Sequence, residues 1–215
     1  MPESDLSEML ATAAALLLRA PDARVLAALA EADGPALELE KARQDFYDVL
    51  CIPQSGRYIP PYAHVLVRGR LQGKDWWHFP APRFDGGDAL APWYEAVGFD
   101  PRRSEIDPML RGPHRPLDSV GLIIAYLAGL VTSRDAADVG APEGDAIIAT
   151  FMSEHVDPWL DRFCDLLGGS GSPYLKAVAE ALREAVEKTR VGGSVPIVQS
   201  GAGSFPEEMS TASRA

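Results

Sequence analysis

The chain has 215 residues, enough for one domain or two small lobes around a buried core. Against 20 Lys and Arg stand 31 Asp and Glu, giving a net charge of −11; a polyanionic nucleic acid is therefore a poor partner and a cationic peptide a better electrostatic match. Two cysteines far apart in sequence exclude a CxxC pair or a multi-cysteine metal site.

From Ser4 to about Arg19, the residues Leu6, Met9, Leu10, Ala13, Ala14 and Leu17 recur at helical spacing, with Asp5 and Glu8 as an N-terminal cap pair. Pro21-Asp22 opens a short helix through Val25, Leu26 and Leu29, which stops at Asp33-Gly34-Pro35. A third helix is expected from about Ala36 to Leu50, with Leu39, Ala42, Phe46, Val49 and Leu50 as its inner stripe. Between Ile52 and Pro116, prolines interrupt nearly every window and mark a connector. Within it, Leu90 to Val97 reads as a short helix and His64-Val-Leu-Val as a turn or a brief extended piece; no strand pairing is expected.

Leu117 to Val131 is apolar on almost every side, the pattern of a helix at the centre of a bundle, and too short for a membrane span. Gly144 to Leu167 carries Phe151, His155, Trp159 and Phe163 at four-residue steps, so these rings share a helical face; Pro158 either kinks this helix or starts a second. A last helix runs from about Pro173 to Lys188, and residues 191–215, rich in Gly and Ser, read as a flexible tail. The expected fold is all-α, with an N-terminal lobe of about 1–112 and a C-terminal lobe of about 113–190 on either side of the proline-rich connector. Met1-Pro-Glu-Ser-Asp lacks the positive start of an export signal, and Met9 to Leu18 is too short to cross a bilayer. A cytoplasmic, reducing setting is expected, with Cys51 and Cys164 as buried thiols.

The sequence holds no GxSxG elbow, P-loop, Rossmann glycine fingerprint or HExxH. No catalytic residue, cofactor or metal is therefore expected. His64, His78, His114 and His155 read as hydrogen-bonded residues at the margin of the core. Two roles fit Trp76 and Trp77: the flat apolar surface of an open groove, or a seal between connector and helices. Trp93 and Tyr94, on a short helix, read as packing residues. Asp118 opens the most apolar helix, where a carboxylate caps free backbone N–H groups and, at a groove edge, also suits a guanidinium.

Several phrases recur in a fixed order: Gln44-Asp45-Phe46-Tyr47 through Ile52-Pro53 to Pro61-Tyr62, then Trp93-Tyr94 to Gly98, then Pro116-Leu117-Asp118, then Phe151, His155 and Trp159, then Pro173-Tyr174. In order and spacing they resemble the TorD/DmsD/NarJ family of cytoplasmic chaperones for molybdenum redox enzymes. Ser119 stands where the family usually has histidine, and Ile123 where it has an acid. The resemblance implies an all-α, two-lobed TorD-like chaperone without catalysis. Its partner would be an immature molybdopterin-containing oxidoreductase subunit, held through its twin-arginine leader or in its apo form. Tyr62, Trp76, Trp77, His114, Asp118, Ser119, His155 and Trp159 are the peptide-binding residues it points to, with His114 and His155 available for the role Ser119 leaves open. A permanent structural subunit of an anaerobic redox complex is the alternative, and an unrecognised all-α enzyme the weakest reading. The connector admits either a monomer or a domain-swapped homodimer.

Overall fold

Alanines and leucines at a 3.6-residue period give the first helix a face narrow enough to lie close against its neighbours. The computed structural model describes residues 4–31, 37–73, 76–110, 116–136 and 141–192, with the backbone alone at 4, 5, 31, 76, 141, 142 and 192. Helix α1 (Ser4–Leu18) buries Leu10, Ala13, Ala14 and Leu17 and packs along α6 (Val120–Ala136) and α9 (Pro173–Gly192). The approach of α1 to α6 is close because position 121 is glycine: a Cβ there would come within 2.6 Å of Leu18 Cγ. Helix α6 is apolar all round, with Val120, Leu122, Ile123, Ile124 and Leu127 buried, and so occupies the centre.

The remaining elements are α2 (Ala23–Glu31), α3 (Leu39–Phe46), α4 (Ala63–Arg68), α5 (Ala91–Ala96), α7 (Ala141–His155) and α8 (Asp157–Gly168). A two-stranded antiparallel hairpin, β1 (Arg70–Gln72) with β2 (Trp76–His78), and short 3-10 turns at Pro53–Ser55, Asp88–Leu90, Pro101–Arg103 and Pro108–Leu110 lie between the helices. The buried apolar residues of all the long helices form a continuous cluster, so the architecture is all-α with a minor hairpin. No helix among the described residues is long and apolar enough to cross a membrane.

Several expectations are corrected. The third helix loses α geometry after Phe46 and widens into a π turn over Tyr47–Cys51, closed by Ile52 N–H donating to Tyr47 O at 2.9 Å. His64 to Val67 is helical, because Asp118, distant in sequence, caps the first turn of α4. The connector does contain strand pairing: Leu71 sits opposite Trp77, in strands of three residues that are too short to show a period. Of the two alternatives given for Pro158 the structure has the second, a new helix, with Val156 at the break between α7 and α8. Helix α9 runs to Gly192, beyond the expected end at Lys188. Asp5 lies inside α1, while Asp33-Gly34-Pro35, His114 and the tail from residue 193 lie outside the described residues.

The phrase Gln44-Asp45-Phe46-Tyr47 is structural. Asp45 is 1 % exposed and meets Lys41 Nζ and Arg57 Nη1, each at 2.7 Å, while Arg57 Nη2 donates to Ser170 O at 3.1 Å. This network ties α3 to the turn between α8 and α9. Burial pushes the Asp45 carboxyl up, but the hydrogen bonds from Lys41 and Arg57 outweigh it and hold the group below its ordinary range. Cys51 and Cys164 are free thiols that burial pushes up to about 12, so both stay protonated and inert.

Candidate functional site

Pro60 and Pro61 lack backbone N–H groups, so at these positions the backbone can pair only through its carbonyls, here that of Pro61. That carbonyl accepts from Val120 N–H at 3.0 Å, satisfying a first-turn amide of α6, and Ala63 N–H donates to Asp118 O at 3.0 Å. Tyr62 and Ser119 thus face each other across an isolated antiparallel bridge. The bridge brings the Asp118 side chain to the start of α4. Its Oδ2 accepts from His64 N–H at 2.6 Å and lies 2.7 Å from His64 Nδ1. Asp118 is a cap, as its position predicts, but for α4 rather than for its own helix.

Helix α7 brings the second component. Pro158 has no N–H, and the break at Val156 frees the carbonyl of His155. The indole N–H of Trp159 donates to that carbonyl in place of a backbone amide. Trp159 is 1 % exposed and stacks edge-on to Phe163, while His155 packs against Phe151 and Trp93 at ring distances of 5.2 and 5.7 Å. The expected four-ring stripe is therefore two ring pairs on either side of the break.

Between these elements lies a cavity of about 260 Å³. Asp118, His155 and Trp159 line it together with His64, Ile123 and Pro158, and Arg68 and Glu154 add charges of opposite sign. Two buried polar atoms here have no hydrogen-bond partner: Asp118 Oδ1 and His155 Nε2. Burial pushes the His155 imidazole below its ordinary value, with the Glu154 carboxylate, 3.7 Å from Nε2, opposing the shift. The cavity therefore offers a carboxyl oxygen and a ring nitrogen that nothing else satisfies, and the carboxyl oxygen suits a multi-donor cation such as a guanidinium. Val67 lines the cavity at 47 % exposure, and Phe84, in the turn beside it, is 71 % exposed, so apolar surface adjoins the polar interior.

The depressed His155 pKa has a consequence for stability. In the unfolded chain the ring titrates near 6.5, and in the folded protein it titrates lower, so the unfolded state binds more protons between the two values. The stability that this neutral ring contributes is complete above pH 6.5 and falls as the pH drops below it. Urea midpoints at pH 7.5 and 5.5 should show a loss on acidification that is smaller in His155→Gln.

The other expected residues fall elsewhere or are partly described. Trp77 stacks on Phe79 at 6.1 Å and receives the Arg162 guanidinium over its ring at 4.8 Å, while Arg162 also donates to the carbonyls of Leu66 and Val67. Through Arg162, Trp77 thus fastens the hairpin to α4 and α8. Trp76 is described by its backbone alone, and His114 lies outside the described residues. Trp93 and Tyr94 pack inward, and Tyr94 donates its hydroxyl to Leu117 O at 3.0 Å. His64, read from the sequence as a hydrogen-bonded residue at the margin of the core, was not singled out for the site; it lies two positions after Tyr62.

Gly87 also lines the cavity with φ +86, directly against Asp118: a Cβ there would lie 2.5 Å from Asp118 N. Gly87→Ala is expected to combine left-handed strain with this collision and to cost roughly 2–4 kcal/mol. Gly56 has φ +76 and open space around it, so Gly56→Ala should cost only about 1 kcal/mol. Chemical unfolding of the two variants checks the difference.

Fold and site together define an all-α, TorD-like protein with a minor hairpin and a cleft of mixed polar and apolar lining beside its central helix. The model of the nitrate reductase delta subunit family matches residues 5–165, and the chain belongs to that NarJ/TorD-like chaperone family. Neither the curated proteins nor the solved structures contain a match. The family is one of maturation chaperones that partner with a molybdoenzyme subunit.

Proposed function

We propose that this protein is a cytoplasmic chaperone that holds the immature catalytic subunit of a molybdopterin oxidoreductase, through its twin-arginine leader or another segment of the apo form, until the cofactor is in place. The observation that carries the reading is the pair of buried polar atoms without a hydrogen-bond partner, Asp118 Oδ1 and His155 Nε2, on the wall of one cavity. An arginine side chain of the client is seated there, and its apolar neighbours lie on Val67 and Phe84. Tyr62 and Ser119 act through the backbone bridge that sets Asp118, and Trp159 forms the floor. The action is capture and release, without chemistry on the client.

Calorimetric titration with a synthetic leader peptide of the host's molybdoenzyme tests this reading. Binding that weakens as ionic strength rises, and weakens further when both arginines become citrulline, is expected. Equal affinity for the citrulline peptide overturns it. A second reading, a permanent subunit of the mature enzyme, draws on the word "subunit" in the family description. Fixed-stoichiometry co-purification with the cofactor-loaded enzyme distinguishes that case. Two assembly states accompany the proposal, a monomer and a homodimer exchanging lobes across the connector; a single monomeric peak over a wide concentration range counts against exchange.

A further inference from the structure

Both nitrogens of the His64 ring are engaged. Nδ1 lies 2.7 Å from Asp118 Oδ2, and Nε2 lies 3.0 Å from the backbone N–H of Arg83. A backbone N–H only donates, so Nε2 accepts, and the neutral ring carries its proton on Nδ1. Asp118 is thus gripped through one oxygen by a backbone amide and a ring N–H, while its other oxygen stays unpartnered on the cavity wall. On the far side, the same ring fastens a turn. A Cβ at Gly86 would come within 2.3 Å of His64 Cε1, and one at Gly87 within 2.5 Å of Asp118 N, so residues 83–87 lie directly against the pair.

We infer that His64 is a positioning residue with two separable duties: its Nδ1–H turns Asp118 so that Oδ1 faces a bound guanidinium, and its Nε2 latches the 83–87 turn over the pair as a lid at the cavity. The first duty rests on the peptide-binding reading above, and the second stands without it. Because the two duties use opposite ring nitrogens, the turn can lift while Asp118 keeps its orientation. Phe84, 71 % exposed on that turn, travels with it, so lifting the turn also moves apolar surface beside the cleft. The exposed Arg83–Asp85 ion pair stiffens the turn itself, and Arg68, Glu154 and His155 are the other charged or titratable side chains around the cavity.

Asparagine places its amide nitrogen near the position of Nδ1, and glutamine reaches toward that of Nε2. His64→Asn therefore keeps a donor for Asp118 and loses the acceptor for Arg83, while His64→Gln does the reverse. Two readouts separate the duties: amide hydrogen exchange across residues 83–87 in the free protein, and titration with a synthetic twin-arginine peptide and its twin-lysine counterpart. In His64→Asn, exchange across the turn should rise about tenfold, and both peptides should bind more weakly at an unchanged arginine-to-lysine ratio. In His64→Gln, exchange should stay near wild type and that ratio should fall about tenfold. Unchanged exchange in His64→Asn overturns the latch, and an unchanged ratio in His64→Gln overturns the positioning of Asp118. If the wild-type protein shows no preference for arginine, the peptide reading and the Asp118 duty fail together, while hydrogen exchange still decides the latch.

Discussion

Asp118→Ala is expected to weaken binding of an arginine-bearing client peptide by about tenfold to a hundredfold, the range for losing a charge-assisted hydrogen bond in a desolvated pocket. The carboxylate is 2 % exposed and its Oδ1 has no partner in the free protein, so most of its interaction with a ligand cation is not already spent inside the fold. Alanine also removes the cap on His64 N–H and the grip on the ring, which mixes stability into the result. Asp118→Asn separates the two effects. Its carbonyl oxygen can still accept from His64 N–H and Nδ1–H, leaving the amide NH2 toward the cavity, where it opposes a guanidinium. The asparagine variant should therefore unfold within about 1 kcal/mol of wild type, the scale of one exchanged hydrogen bond, yet bind as poorly as the alanine variant. Peptide titration alongside urea unfolding measures both quantities. Wild-type affinity in the asparagine variant would remove Asp118 from the site.

Phe151→Ala is expected to destabilise the fold by about 3–5 kcal/mol, the largest stability effect among the substitutions considered. The ring is fully buried and meets Trp93, Tyr126 and His155 at centroid distances of 5.3, 4.8 and 5.2 Å. Its loss opens a cavity where α5, α6 and α7 converge, and no flexible neighbour is placed to fill it: Tyr126 is tied by its hydroxyl to Trp93 O at 2.8 Å. The ring is also the backing against which His155 is held, so peptide affinity should fall with stability. Phe151→Leu keeps most of the volume and should recover more than half of the lost stability, which a comparison of the two unfolding midpoints reads directly.

Helices α1 and α9 were legible because each carries an apolar period over four turns or more, and α6 because its unbroken apolar run is too long for a buried strand. The elements missed are those whose conformation is set by partners distant in sequence. Helix α4 is six residues long and owes its first turn to a carboxylate 54 positions away, so His64-Val-Leu-Val looked like a turn or an extended piece. The hairpin strands are three residues each, and Trp77 is held there by Phe79 and Arg162, contacts that local composition does not encode. Asp118, His155 and Trp159 were all singled out from sequence and do meet at one cavity, but for reasons that sequence gave only in part. Asp118 was legible as a cap without its recipient being legible. His155 was visible as part of an aromatic stripe, whereas the lack of a hydrogen-bond partner at its Nε2 is a product of tertiary packing. Beyond its reading as a hydrogen-bonded residue at the core margin, His64 carries no signal for the site, because the donor-poor Pro60-Pro61 segment before it does not reveal Ser119 as its bridging partner.

The chaperone account is tested most directly by affinity capture of the intact protein from its native host, grown under conditions that induce anaerobic respiration, with mass spectrometry of the retained proteins and assay of their molybdopterin content. It predicts recovery of an immature oxidoreductase subunit that lacks the cofactor and still carries its leader, and loss of that subunit from the Asp118→Asn bait. Recovery of only the mature, cofactor-loaded enzyme at fixed stoichiometry, equally well on both baits, would contradict it.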